Sequence, residues 1–202
     1  MQALDMTPEV SFSPLLQSYT LEEFWALPEP DDRSHYELIG GFLFMVPPPD
    51  PPHGSIDSRL NKSLVQFLLA HQNHGEVHHP REAIYTDLFA GTYLEPDMMY
   101  VSQELQEVMG RKRTSADIVF EYISASNAVY DRTTKAHTYL ALGVRELWLV
   151  DHFTMTVEVR YATERNGRPA WETWRYSKGD LAESRVLAGW QVSVDELFAG
   201  LV

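Results

Sequence analysis

The chain has 202 residues, 44% hydrophobic, 12% aromatic and 22% charged, which suits one domain with a sizeable buried core. Cysteine is absent, so disulfides, cysteine-ligated zinc and thiol catalysis are excluded, and a reducing cytoplasm is the natural setting. Sixteen basic residues against 29 acidic ones leave a formal net charge of −13, which speaks against sequence-independent coating of nucleic acid, where a basic patch normally meets the phosphates. It weighs less against a nuclease, whose bound cations neutralise part of a carboxylate cluster.

Residues 1–5 carry no basic stretch ahead of an apolar run, and no apolar run reaches membrane-spanning length. The expectation is a soluble cytoplasmic protein with no signal peptide and no membrane contact. Residues 1–18 lack periodicity and read as a loosely packed arm, leaving residues 19–202 as a single domain.

Thr20 and Glu23 have capping-box spacing, predicting a helix from about Leu21 to Leu27 that Pro28 and Pro30 end. Tyr36–Ile39 and Phe42–Met45 flank Gly40-Gly41 in the pattern of a two-residue hairpin. After a proline-rich turn, Ile56, Leu60, Leu64, Phe67 and Leu68 mark the clearest amphipathic helix. Ala83–Thr86, Met98–Val101 and the apolar stretch Asp117–Ile123 are predicted strands, the last buried on both faces. A helix over Ala128–Leu142, closed by Gly143, leads to a strand at Glu146–Val150, so the three elements should form a right-handed parallel βαβ unit. Thr156–Tyr161 and Trp171–Tyr176 flank the turn signal Asn166-Gly167, and a short helix near Val194–Phe198 ends the pattern. The fold class is α/β or α+β, a mixed sheet flanked by helices.

Three residues carry the chemistry. Asp97, after Pro96, sits at the entrance of an apolar strand, where a lone acid is more often a turn residue. Glu121 interrupts a buried strand, where an ionised carboxylate costs several kcal/mol unless paired or bound to metal; a salt bridge to Arg132 or Arg145 is the structural alternative. Lys135 lies on the following helix, where a solvated i,i+4 pair with Asp131 is the plain alternative. Together, two carboxylates on neighbouring strands and a lysine suit phosphodiester hydrolysis: oxygen ligands hold Mg²⁺, and an ammonium orients water or stabilises charge. The backbone carbonyl of Tyr122 could complete the coordination.

The ordered set Tyr36–Ile39, the proline turn with His53, Pro96-Asp97, Val119–Ser124, Asp131, Lys135, Tyr139 and Gly143–Asp151 resembles the Uma-type restriction endonucleases, a branch of the PD-(D/E)XK nuclease superfamily. The resemblance spans about residues 19–161. It implies a restriction-endonuclease-like fold, Asp97 and Glu121 as ligands of Mg²⁺ or Mn²⁺, and Glu37 as an acid completing the catalytic set. The superfamily lysine would stand at Ile123; in this branch it has moved to the following helix, where Lys135 stands. Two departures are Gly40 and Phe42, which replace acids usual in the first hairpin, and Ala125 in place of a proline after the strand glutamate.

His71, His74, His78 and His79 have spacings found in metal sites, but they cross a predicted helix end, and a solvated loop is the better reading. His53 could face the site. Trp148, Trp171, Trp174 and Trp190 read as core or dimer-contact residues rather than base-stacking platforms. The leading expectation is a Mg²⁺- or Mn²⁺-dependent endonuclease cutting DNA as a homodimer. Two others stand beside it: a catalytically silent nuclease-fold binding or assembly protein, and a metal-dependent phosphodiesterase acting on RNA or nucleotides.

Overall fold

The computed structural model describes residues 17–49 and 51–201. The N-terminal arm, apart from Gln17 and Ser18, lies outside the described residues, as does Asp50 of the proline turn. The reciprocal capping box forms at α1 (Leu21–Trp25): Thr20 accepts from the Glu23 N–H, and the Glu23 carboxylate accepts from the Thr20 N–H at 2.8 Å. The hairpin of β1 (His35–Ile39) and β2 (Phe42–Val46) turns on Gly40 and Gly41 at φ 59° and 81°, left-handed values open to glycine without strain. Next come α2 (His53–Ala70), β3 (Glu76–His78), β4 (Ile84–Thr86), β5 (Thr92–Leu94), β6 (Met98–Val101), α3 (Gln103–Met109) and β7 (Ile118–Tyr122).

The helix expected over residues 128–142 is interrupted. It runs as α4 (Ala128–Tyr130), a π turn over Asp131–Lys135, and α5 (Ala136–Ala141). The chain continues through β8 (Glu146–Asp151), β9 (Thr156–Arg165), β10 (Arg168–Tyr176), β11 (Leu181–Glu183), β12 (Gln191–Ser193) and α6 (Val194–Phe198).

The main sheet is mixed, with strand order β10-β9-β8-β7-β6-β3, and the expected βαβ unit is there: β7 and β8 pair in parallel, with α4, the π turn and α5 between them in the chain. Beside it stand a four-stranded sheet, β2-β1-β5-β4, and the β11–β12 pair. Sequence alone merged these into one sheet and missed β3, β5, α3, β11 and β12. His78, read as loop, belongs to β3, where Val77 and His78 pair with Tyr100 and Met99.

Strand β7 divides the core between its faces. Ile118, Phe120 and Tyr122 pack with the α2 stripe Ile56, Leu60, Leu64 and Leu68 and with Trp148 and Trp190. Val119 and Ile123 pack on the opposite face with Ala136, Tyr139, Val144, Leu147 and Leu149. Alternation puts Glu121 on that second face, under α5. Trp148 and Trp190 are core residues with ring centroids 5.0 Å apart, whereas the Trp174 side chain is exposed on β10. Among the described residues no helix is long and apolar enough to cross a membrane.

Candidate active site

Antiparallel register brings the two acids together. Met98 of β6 faces Phe120 of β7, so Asp97, one residue earlier, arrives beside Glu121 and Tyr122. The bond that fixes it runs from the Tyr122 N–H to Asp97 Oδ2 at 2.6 Å. Asp97 is thus a strand-end group held by a backbone donor, not a solvated turn residue.

Lys135 is 2% exposed, and its ammonium lies 2.7 Å from Glu121 Oε1 and 3.2 Å from Glu37 Oε1. This replaces both plain alternatives. Glu121 does not pair with an arginine: Arg132 reaches Asp151 and Glu158, and Arg145 reaches Asp117. Nor does Lys135 make an ion pair with Asp131. Glu37, fully buried on β1, accepts the Glu95 N–H at 2.9 Å on Oε1 and the Tyr130 hydroxyl at 2.8 Å on Oε2. The Tyr139 hydroxyl donates to Glu121 Oε1.

The π turn explains why these groups converge. Five residues of regular α-helix turn through roughly 500°, leaving positions 130 and 135 about 140° apart. The wider i→i+5 turn brings them back toward one face, and Tyr139 follows Lys135 by about one turn. Tyr130 also stacks on Phe44 of β2, with centroids 4.8 Å apart.

Asp97, Glu121, Tyr122, Asp131 and Lys135 line one cavity of about 240 Å³, together with Arg33, His35, His53, Arg81 and Glu95. His53 is the first residue of α2 and is 7% exposed; its Nδ1 is buried with no hydrogen-bond partner, and its ring lies 6.1 Å from that of Tyr122. Asp131 went unrecognised in the sequence as a cavity acid, because one helical turn from a lysine it looks like half of a surface pair. Tyr130 and Tyr139 carried only a weak signal, their spacing about Lys135.

Burial dominates the electrostatics. It raises the Asp97 carboxyl above the usual range against the Tyr122 N–H, raises Glu121 well above it against the pull of Lys135, and raises Asp131 to about 7. Burial alone would lower Lys135, but Glu121 and Glu37 overcome it and hold the ammonium charged. Four carboxyl groups surround one lysine, and a divalent cation bound there would favour the ionised forms that burial disfavours.

Among the described residues no three His, Cys, Asp or Glu side chains stand close enough together to hold an ion. The donors fit a different pattern. Asp97 and Glu121 each engage one carboxylate oxygen within the protein, leaving Asp97 Oδ1 and Glu121 Oε2 as the oxygens for a ligand. Two carboxylates with a nearby carbonyl suit Mg²⁺, which keeps several waters and needs no all-protein cage. The histidine series 71, 74, 78 and 79 is dispersed: His78 approaches Glu76, and His79 approaches Asp57.

Residues 21–195 match the Uma2 family, described as "Putative restriction endonuclease", and the chain belongs to that family. Among solved structures it resembles "a putative nuclease belonging to DUF820" from Anabaena variabilis, with TM-score 0.70 and 20% identity over 91% of this chain and 99% of that one. At this identity the likeness establishes the shared nuclease fold. No curated protein matches the chain.

Proposed function

We propose that the protein is a divalent-metal-dependent endonuclease hydrolysing DNA phosphodiester bonds in the cytoplasm, with residues 19–202 as its functional unit and a symmetric homodimer as the form that cuts duplex DNA. The observation that carries this reading is the convergence of Asp97 and Glu121 beside a buried, charged Lys135 on one cavity wall. Membership of the Uma2 family supports it.

In this reading Asp97 and Glu121 hold Mg²⁺ or Mn²⁺, with the Tyr122 carbonyl as a further ligand. The ion, when bound, supplies Lewis-acid activation of the phosphoryl oxygen and a more acidic water. Lys135 stabilises charge developing on the phosphoryl oxygens from a preorganised position. Glu37, with both oxygens engaged by Glu95, Lys135 and Tyr130, positions that ammonium rather than serving as a ligand.

The test is nicking of supercoiled plasmid in Mg²⁺ or Mn²⁺, beside Asp97→Asn. The expected result is metal-dependent nicking that Asp97→Asn lowers at least about 100-fold, the scale of removing one preorganised electrostatic group. Cleavage of RNA or a dinucleotide but not plasmid would reassign the substrate. A protein inert on all three would be a silent nuclease-fold binding protein, a reading that the net charge of −13 favours.

A further inference from the structure

The carboxylates are only part of the cavity lining. Its wall carries Arg33, His35 and Arg81, brought together from two separate loops and the start of β1. On a chain with 29 acidic residues against 16 basic ones, two exposed arginines lining a carboxylate-bearing cavity are unexpected on composition alone.

Three observations single them out. Arg33 and Arg81 both adopt left-handed backbone, at φ 68° and 78°. Such a conformation costs a non-glycine residue roughly 1–2 kcal/mol, and local strain of this kind gathers at ligand clamps. Both side chains are exposed and loosely committed: Arg81 is 3.8 Å from Glu95, too far for a hydrogen bond, and Arg33 makes no ion pair among the described residues. Finally, His35 Nε2 is buried without a hydrogen-bond partner, 3.8 Å from the same Glu95 oxygen. Two exposed guanidinium groups, one of them only loosely paired with Glu95, and an unsatisfied imidazole nitrogen line one cavity.

We infer that Arg33, Arg81 and His35 form a phosphate subsite that holds a backbone phosphate of the nucleic-acid strand next to the one being cleaved. The inference rests on the nuclease reading for its substrate, but its chemistry is separate: guanidinium planes match phosphate geometry in a bidentate manner, and imidazole adds a third hydrogen bond. Glu95 Oε2 lies 3.8 Å from both His35 Nε2 and Arg81 Nη1, so a bound phosphate would compete with that carboxylate for the two groups. A strand held here has its neighbouring phosphate directed toward Asp97 and Glu121.

The experiment is fluorescence anisotropy of a fluorescein-labelled single-stranded oligodeoxynucleotide in Ca²⁺, titrated at several salt concentrations. Arg33→Gln/Arg81→Gln should weaken binding about tenfold, and the slope of log K against log salt should become shallower by about 0.7 for each phosphate no longer neutralised. Arg81→Lys, which keeps the charge, should restore most of the slope. The control Arg165→Gln/Arg168→Gln removes the same charge from the β9–β10 turn and should leave both quantities unchanged.

The subsite is overturned if the wall variant binds like the native protein, if affinity falls with the slope unchanged, if the control behaves like the wall variant, or if the native protein does not bind the oligonucleotide. The two proposals fail separately. Metal-dependent nicking with arginine-independent binding removes the subsite and keeps the nuclease; arginine-dependent binding without nicking does the reverse.

Discussion

The two faces of β7 are built from alternate residues of one five-residue strand, yet they follow opposite rules. On one face Phe120 meets Trp148 and Trp190, with ring centroids 5.7 and 6.0 Å away, in an apolar layer closed by α2. On the other, Glu121, equally buried, faces Lys135 and Tyr139 among Val119, Leu147 and Leu149. The first face gains free energy from every group it hides. The second hides charge at a cost, offset only while each partner stays in place. Stability therefore resides mainly on the α2 face, and reactive capacity on the helix-turn face that the rest of the fold supports.

The largest effect should come from the apolar face. Trp148→Ala should lower the unfolding free energy by roughly 3–5 kcal/mol through poorer packing and the cavity left behind, read from urea denaturation. A decrease below about 1 kcal/mol would mean the aromatic layer is not where stability lies.

Next, Lys135→Met should cost about 3 kcal/mol, at the low end of the range for breaking a buried pair, because burial already favours the neutral form of Glu121, which can take up a proton once the ammonium is gone. Adding Glu121→Gln to Lys135→Met should recover part of that stability, a coupling that a double-mutant cycle measures. Strict additivity would contradict the pairing.

The smallest effect concerns Asp131. Its folded-state pKa, raised by burial to about 7 from 3.8, means that between these values the folded protein keeps a proton the unfolded chain releases. Stability from this group accordingly falls as pH rises from about 4 to about 7. Asp131→Asn should match the native protein at about pH 4 and exceed it by at least about 1 kcal/mol at about pH 8, the pull of Lys135 being already contained in the raised pKa. An advantage that is constant with pH would show that Asp131 ionises freely.

Much of this comparison was readable in the chain. The apolar run around Glu121 marked a strand buried on both faces, and the Gly40-Gly41 hairpin, α2 and the helix after β7 followed from periodicity and turn chemistry. Asp97, Glu121 and Lys135 line one cavity, and Glu37, outside that lining, lies 3.2 Å from the Lys135 ammonium. What could not be read were elements whose structure comes from partners. Strand β3 has a single apolar residue, Val77, and exists because it pairs with β6. Helix α3 has no fully buried residue; it starts on its Ser102 cap and rests Leu105 and Met109, half-buried, against the core. The partner of Glu121 was also hidden, because three-dimensional approach, not spacing, selects Lys135 over Arg132 and Arg145. The π turn left no mark in a pattern read at about 3.6 residues per turn.

That turn has a mechanical meaning. Tyr130, ahead of it, is keyed to Glu37 on the four-stranded sheet, whereas Tyr139, after it, is keyed to Glu121 on the six-stranded sheet, and Lys135 at its end touches both. The helix thus works as a coupling with a built-in phase offset. Each half meshes with a different sheet, and the wide turn absorbs the angular difference between them. Deleting one residue there would restore a regular helix and leave one of the two sheets out of step with the lysine.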